Sequence, residues 1–306
     1  MNCVVVGGGG FIGSHLSEAI MKLRNRITIL DLPDASHLEL LSQKGATIVL
    51  GDIRDVSILE KSFSGADTVF HLASTTIPKS SIDDPVFDVS SNLIGSINLL
   101  NAAKNTGVKK VVFISSGGTV YGIPKIIPIT EDHPTDPISS YGIIKLAIEK
   151  YMALFQTLYG LDYTIIRVSN AYGERQSAIG VQGIIPTLIY KALQRQEITI
   201  WGDGNVIRDY IHVSDIVNAL LEAANHVGEP YKYNIGSGIG HSVNDIVRML
   251  ERVLGESLKL IYKPGRAYDV PVNILDNSLA RQVLHWEPQV SLSDGIRQTL
   301  EYLRDH

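Results

Sequence analysis

The chain has 306 residues, 44% apolar and 19% charged, with 27 Lys and Arg against 32 Asp and Glu. That composition excludes a disordered chain, and a formal charge of −5 with no long basic run offers no surface for nucleic acid. The length suffices for one large or two modest domains, and no apolar run approaches the roughly 20 residues of a membrane helix. The one cysteine, Cys3, cannot close an intrachain disulfide, which fits a reducing, cytoplasmic setting. The first residues lack a basic and apolar leader pattern, so no signal peptide is expected, and no repeat or low-complexity linker interrupts the chain.

Residues 2–6 form a short apolar run, as expected of a central parallel strand covered on both faces. Gly7, Gly10 and Gly13 follow at three-residue spacing and lead into a helical pattern. Glycine at these positions permits a tight turn and lets a pyrophosphate approach the backbone and the helix N-terminus. A second strand, residues 26–31, ends in Asp31, at about the 20-residue distance where a carboxylate binds the ribose hydroxyls of NAD. No Arg or Lys directly follows Asp31, which favours NAD over its 2′-phosphorylated form. The competing reading of Asp31 is a strand-end turn residue before Pro33.

Strand-like runs recur at 46–50, 68–72, 110–115 and 162–168 with helical patterns between them. This alternation predicts an α/β fold built on a doubly wound parallel sheet. Asp52, after the third strand, suits either the adenine end of a dinucleotide or a turn. The fourth strand ends in His71, Leu72, Ala73 and Ser74, where small residues would line the cofactor side of the sheet. His71 reads as a packed strand residue. Asn92 lies in a helix expected from about Pro85 to Thr106, where an Asn among apolar neighbours more often satisfies a backbone group than a ligand.

After the fifth strand, Ser115, Ser116 and Thr119 place hydroxyls at the C-terminal end of the sheet, where ligands bind. The chain is then loop up to Pro137, and Ser139 or Ser140 starts the next helix. That helix carries Tyr141 and Lys145 four residues apart, hence on one face. A free tyrosine keeps its proton until a pH of about 10; a nearby ammonium lowers that value. The pair is therefore a compact proton-transfer device for a hydroxyl or ketone. Beyond residue 170 the alternation weakens. A helical pattern starts at Pro186, a short strand spans 198–201, and Ser242 with Asp245 reads as a capping box. Gly236-Ser237-Gly238 reads as a strand exit, and residues 292–303 as a closing helix.

In order and spacing, the glycine turn with Phe11, Ile12, Gly13, Ser14 and His15, the Ser115–Gly122 loop and Tyr141/Lys145 resemble an extended short-chain dehydrogenase/reductase. The resemblance is to the nucleotide-sugar epimerases. It continues through Asn170–Gly173, Arg208–Asp215 and Asn234–Gly238, covering nearly the whole chain. It implies a Rossmann-like NAD-binding domain over residues 1–170, with 205–235 added, and a smaller mixed α/β substrate domain within 171–306. It further implies that Gly7, Gly10, Phe11, Ile12, Gly13, Asp31, Asp52, Ile53, Leu72, Ala73, Ser74, Asn92, Ser115, Tyr141 and Lys145 contact NAD. On the substrate side it implies Asn170, Ile184, Thr199, Trp201, Arg208, Tyr210, Arg266, Asp269 and Asn273. Arg208 and Arg266 resemble arginines that grip a UDP pyrophosphate, a task suited to the guanidinium fork. Surface salt bridges are the other reading of these two arginines.

The implied reaction is 4-epimerisation of a UDP-hexose, either the glucose/galactose or the N-acetylhexosamine pair, through a transient 4-keto sugar. Tyr141 would move the C4 proton, and the keto sugar would rotate about its diphosphate link. No metal is implied. The related 4,6-dehydratases need an Asp-Glu pair in the loop after the fifth strand; Gly118 and Thr119 stand there instead. Asn170 favours a neutral sugar over a uronate, and Asn273, smaller than a Tyr, leaves room for an N-acetyl group. The family's third loop serine, a proton relay, aligns with Gly117. Ser116 or Thr119 then supplies the hydroxyl, or Tyr141 acts directly. A keto-sugar reductase and a non-catalytic NAD-binding protein remain as alternatives. Homodimerisation through the helices near 85–106 and 139–159 is expected from the family.

Overall fold

A computed structural model describes residues 1–178, 183–229, 231–265 and 270–305. Arg266 and Asp269 lie outside the described residues. The N-terminal apolar run forms β1 (Asn2–Val6), whose Cys3, Val4, Val5 and Val6 are all buried. From it the chain alternates: α1 (Phe11–Lys22), β2 (Arg26–Asp31), α2 (Leu38–Gln43), β3 (Thr47–Leu50), α3 (Val56–Phe63) and β4 (Thr68–His71). Next come α4 (Pro78–Asp83), α5 (Pro85–Asp88), a π-helical turn (Val89–Ile94), α6 (Gly95–Thr106), β5 (Lys110–Ser116), α7 (Ser140–Tyr159) and β6 (Asp162–Val168). The remaining elements are β7 (Asn170–Tyr172), α8 (Ile184–Leu193), β8 (Ile198–Trp201), β9 (Ile207–His212), α9 (Val213–Asn225), β10 (Lys232–Ile235), β11 (Gly240–Ser242), α10 (Val243–Leu254), β12 (Leu260–Lys263), β13 (Val272–Asn273), α11 (Ser278–Val283) and α12 (Leu292–Asp305).

Seven strands form one sheet in the order β10-β6-β5-β4-β1-β2-β3. This is a Rossmann-like doubly wound order with β10 added at one edge. The pairs β1/β2, β1/β4, β2/β3 and β4/β5 are parallel. The strand order reverses between β1 and β4, so their C-terminal ends border the crevice where such sheets bind ligands. Leu72 N bonds Val6 O there at 2.8 Å. β3 is an edge strand with no fully buried residue, unlike β4, which is buried throughout. Helices α3, α6 and α7 cover the sheet with Leu59, Phe63, Leu99, Ala103, Ile148 and Met152 among the buried contacts.

The chain divides into two compact units. One comprises Met1–Gly122, Pro134–Arg167 and Val217–Tyr233; the other comprises Ile123–His133, Val168–Ile216 and Asn234–His306. The second unit holds a small sheet in which β9 pairs with β7, β11 and β13, and a two-stranded ribbon of β8 and β12. Its core gathers Tyr172, Ile185, Leu188, Ile198, Ile200 and Leu250 with residues of α12. The capping box is formed: Ser242 accepts from Asp245 N, and Asp245 accepts from Ser242 N.

Two local features differ from the sequence reading. The helix expected over 85–106 is broken in register by the π turn at Val89–Ile94. One inserted residue per turn is a change that periodicity does not reveal, and such turns frequently sit at functional sites. α8 begins at Ile184 rather than Pro186, which occupies the first turn, where a missing N–H costs nothing. Trp201, at the end of β8, is 47% exposed, with Lys263 Nζ 5.8 Å from its ring centroid. Among the described residues no helix is long and apolar enough to cross a membrane.

Candidate functional site

The glycine turn sits at the switch point. Gly7 has φ +84, and a Cβ there would fall 2.6 Å from Ala73 N. A Cβ on Gly13 would meet Gly7 O at 2.1 Å. These two glycines are required by backbone packing alone. Gly10 is different: its nearest contact would be Gly7 O at 3.5 Å, so its side faces open space. Gly10 also caps α1 without any side-chain hydrogen bond, which leaves the first-turn N–H groups of Phe11 and Ile12 unclaimed by a side chain. Open space in front of an uncapped helix start is what a pyrophosphate needs. The donor set fits NAD.

Asp31 ends β2 and turns back onto the glycine loop. Its carboxylate accepts from Gly9 N and Leu32 N, each at 2.8 Å. Burial raises its pKa above the ordinary carboxylate range, against those two hydrogen bonds. Asp52 accepts from Arg54 Nε and Nη2 and from Arg54 N. These bonds hold its pKa below the ordinary value, and its turn role is evident. Ile53 is buried, and a Cβ on Gly95 would meet its Cδ1 at 2.5 Å.

Asn92, within the π turn, does what a helical Asn was expected to do. Its Oδ1 accepts from Thr75 N at 3.0 Å, and its Nδ2 donates to Thr76 Oγ1 and to Asp88 Oδ1. It braces the loop after β4 with every polar atom of its side chain. His71 is buried, bonded to Ser96 Oγ at 2.7 Å and packed on Phe113. Burial, then the charge of Lys145, drive its pKa down to about 3, so it is neutral and structural.

α7 starts where Ser139 Oγ caps Gly142 N. Tyr141 N donates to Ser81 Oγ at 3.0 Å, fixing the first turn. The Tyr141 ring remains partly open, whereas Lys145 is 4% exposed. Lys145 Nζ lies 5.5 Å from the Tyr141 ring centroid and 4.8 Å from that of Phe113, and donates to Ile114 O at 3.0 Å. Burial pulls the lysine down to about 8, against the charges of Asp88 and Glu149. Burial and then Asp88 push the Tyr141 phenol up to about 12, while a hydrogen bond with Ser74 works the other way. In this structure the Lys145 ammonium bonds a carbonyl rather than the phenol oxygen, and burial, Asp88 and Ser74 set the phenol's shift.

Ser115 also departs from expectation. Its hydroxyl does not face the crevice but donates to Glu149 Oε1 at 2.5 Å. Glu149 is buried one turn beyond Lys145 and pairs with Arg167, which in turn donates to Tyr121 OH at 2.9 Å. Thr119 Oγ1, by contrast, is buried with no hydrogen-bond partner. Asp88, Glu149 and Arg167 escaped the sequence reading. No local spacing marks them, since their partners lie up to 52 positions away.

In the second unit β9 gathers the substrate candidates. Asn170 pairs with Tyr210, and Asn273 with Arg208, as register partners on either side of it. Arg208 and Tyr210, two apart, share a face of β9. Asn170 Nδ2 donates to Asp209 O at 3.0 Å. Asp209 itself is fully buried and accepts from Ser237 N, Gly238 N and Leu275 N, which fixes the strand exit at Gly236–Gly238. Tyr210 is 6% exposed and packed in the core, and Asn273 is 1% exposed. Ile184 opens α8, and Thr199 sits between buried Ile198 and Ile200, so it faces away from them.

The doubly wound sheet, the glycine turn at its switch point and the adjoining tyrosine–lysine pair define a dinucleotide-dependent enzyme class. A model of the NAD dependent epimerase/dehydratase family matches residues 3–236, and the chain belongs to that family. It is 35% identical to the UDP-glucose 4-epimerase of Mycolicibacterium smegmatis over 100% of this chain and 99% of the relative. The structure matches the Thermotoga maritima UDP-glucose 4-epimerase with UDP-glucose at a TM-score of 0.96 and 38% identity, covering 100% and 99% of the two chains. It matches the UDP-N-acetylglucosamine 4-epimerase of Methanobrevibacter ruminantium M1, in complex with UDP-N-acetylmuramic acid, at 0.93 and 31%, covering 99% and 98%.

Proposed function

We propose that the protein is an NAD-dependent 4-epimerase of UDP-hexoses. The observation that carries this reading is the end-to-end likeness to 4-epimerases, joined to an intact Tyr141–Lys145 pair beside a glycine turn that fits NAD. Gly7, Gly10 and Gly13 with the N-terminus of α1 would hold the pyrophosphate, and Asp31 the ribose. Bound NAD supplies reversible hydride acceptance at sugar C4. Tyr141 takes the C4 hydroxyl proton and later returns it. Its partly open ring suits contact with a sugar. Lys145, held near 8, is mostly an ammonium at neutral pH and favours the phenolate as it forms. Thr119 supplies the relay hydroxyl that Gly117 lacks, since its buried oxygen has no hydrogen-bond partner among the described residues. Arg208 and Arg266 hold the diphosphate while the 4-keto sugar turns about that link.

The loop positions that would carry a dehydratase's acid and base are Gly118 and Thr119, which disfavours water elimination. The sugar range includes both UDP-glucose/UDP-galactose and the N-acetylhexosamine pair, with Asn273 as the residue that leaves room at C2. The active species is a homodimer. Val86, Phe87, Ile94, Ile143, Leu154 and Leu158 on α5 to α7 are each more than 40% exposed, an apolar surface that a second copy would cover. The setting is the cytoplasm, where the product would feed polysaccharide assembly. The test is incubation with UDP-glucose and, separately, UDP-N-acetylglucosamine, following the 4-epimer of each. Interconversion without net NADH consumption is expected. Net NADH consumption on a keto sugar, with no epimer formed, would replace the epimerase with a reductase.

A further inference from the structure

Asp88 ends α5 and is completely buried. Burying a carboxylate is costly unless its oxygens are satisfied. Here Oδ1 accepts from Thr76 Oγ1 at 2.7 Å and Asn92 Nδ2 at 2.8 Å, and Oδ2 accepts from Ser140 Oγ at 2.7 Å. Each donor belongs to a segment that frames the tyrosine–lysine pair. Ser140 directly precedes Tyr141 on α7. Thr76 follows Ser74, the hydrogen-bond partner of the phenol, and Ser74 Oγ donates to Thr76 O at 3.1 Å. Asn92 secures Thr75 N between them. All three donors are neutral, so none of the bonds that hold the Asp88 carboxylate brings a cation to it.

We propose that Asp88 is a positioning residue for the Tyr141–Lys145 pair: its buried carboxylate ties Ser140, Thr76 and Asn92 together behind the pair and sets the electrostatic environment that the pair meets from that side. This rests on the epimerase reading for its consequence in turnover. The charged groups facing the pair support the assignment. From α7, Glu149 also acts on Lys145, but its carboxylate is paired with Arg167 at 2.6 Å. From β4, His71 is neutral. Asp88 is thus the acid near the pair whose charge no bonded cation offsets. Burial alone takes Lys145 down; Asp88 opposes that and, by the same field, holds Tyr141 up.

The test is a pH titration by NMR of the full chain carrying 13Cε-lysine, with the Lys145 signal identified by its loss in Lys145→Met. The wild-type midpoint is expected near 8. In Asp88→Asn it falls by about one unit, and the pH profile of kcat/KM moves as a whole to lower pH. Ser140→Ala, which cuts a tie but keeps the charge, leaves the midpoint in place. Asp88→Ser is the second charge-free variant. An unmoved Lys145 midpoint in either folded variant overturns the proposal, as does the failure of both to fold, since Asp88 would then be a structural anchor only. Absence of UDP-hexose interconversion by the wild type would sink the epimerase reading, while the NMR midpoints would still decide the role of Asp88.

Discussion

Glu149 and Arg167 meet edge to edge inside the first unit, with Nε 3.0 Å from Oε1 and Nη2 2.6 Å from Oε2. Each side chain is 3% exposed. Arg167 also donates to Tyr121 OH, and Glu149 accepts from Ser115 Oγ. The pair therefore fastens both ends of the Ser115–Gly122 loop to α7, the helix that carries Tyr141 and Lys145. Removing one partner leaves the other charge buried and alone, a loss of about 3–5 kcal/mol. Arg167→Met and Glu149→Gln should each lower the unfolding free energy by that order, seen as a lower denaturant midpoint. A midpoint within experimental scatter of wild type would show that the loop does not depend on the pair.

The glycine turn gives a contrast between two neighbouring substitutions. Gly13→Ala puts a methyl 2.1 Å from Gly7 O, a backbone atom that cannot step aside. Its cost lies at or beyond the upper end of the roughly 1–3 kcal/mol of overpacking. Gly10→Ala meets only a contact at 3.5 Å. That variant should keep near-native thermal stability yet bind NAD more weakly, because the methyl enters the space before the α1 N-terminus. Calorimetric titration with NAD beside a melting curve separates the two effects. Unchanged NAD affinity in Gly10→Ala would place the pyrophosphate elsewhere.

How far these features could be read from the sequence depends on the range of the interaction. β1, β2 and β6 fall at the expected residues because runs such as Val4–Val6 carry their burial locally. Gly7, Gly10, Gly13 and the Tyr141–Lys145 spacing are likewise local patterns. Asp88, bonded to Thr76, Asn92 and Ser140, is specified only once three separate segments have folded together. The direction of Ser115 is set in the same long-range way: the carboxylate that claims its hydroxyl is 34 positions away. The π turn was invisible because the flanking helices keep ordinary composition. The bracing role of Asn92 is legible because an amide among apolar residues must find a partner, whatever the helix type.

Thr119 and Ser116 compete for the relay role, and burial distinguishes them. Thr119 Oγ1 has no partner, so replacing the threonine with valine removes a polar atom that nothing satisfies. Stability should hold or rise slightly, since deleting an unsatisfied buried group is not penalised. Turnover should fall by about 100-fold, the lower end of what proton transfer contributes. Ser116→Ala should change turnover less than twofold, measured as kcat for UDP-glucose. The reverse ranking would give the relay to Ser116, and no effect from either would leave Tyr141 acting on the sugar alone.

Lys145 places a stability cost at the site of chemistry. Its folded pKa of about 8 lies below the ordinary 10.5 because burial disfavours the ammonium. Between those two values the unfolded chain binds more protons than the folded one, so the folded state gains stability as pH rises through the window. Below about pH 8 both states hold the proton, and the full penalty remains, roughly 3 kcal/mol. Lys145→Met removes the group, and with it both the penalty and its pH dependence. The variant should therefore be more stable than wild type at pH 7, and that advantage should shrink as pH approaches 10.5. Epimerisation should be lost at every pH, because the ammonium that favours the Tyr141 phenolate is gone. Urea melts of cofactor-free protein at pH 7 and pH 10 test the first claim. A wild type more stable than Lys145→Met at pH 7 would mean that Asp88, Glu149 and the bond to Ile114 O outweigh the burial of the charge.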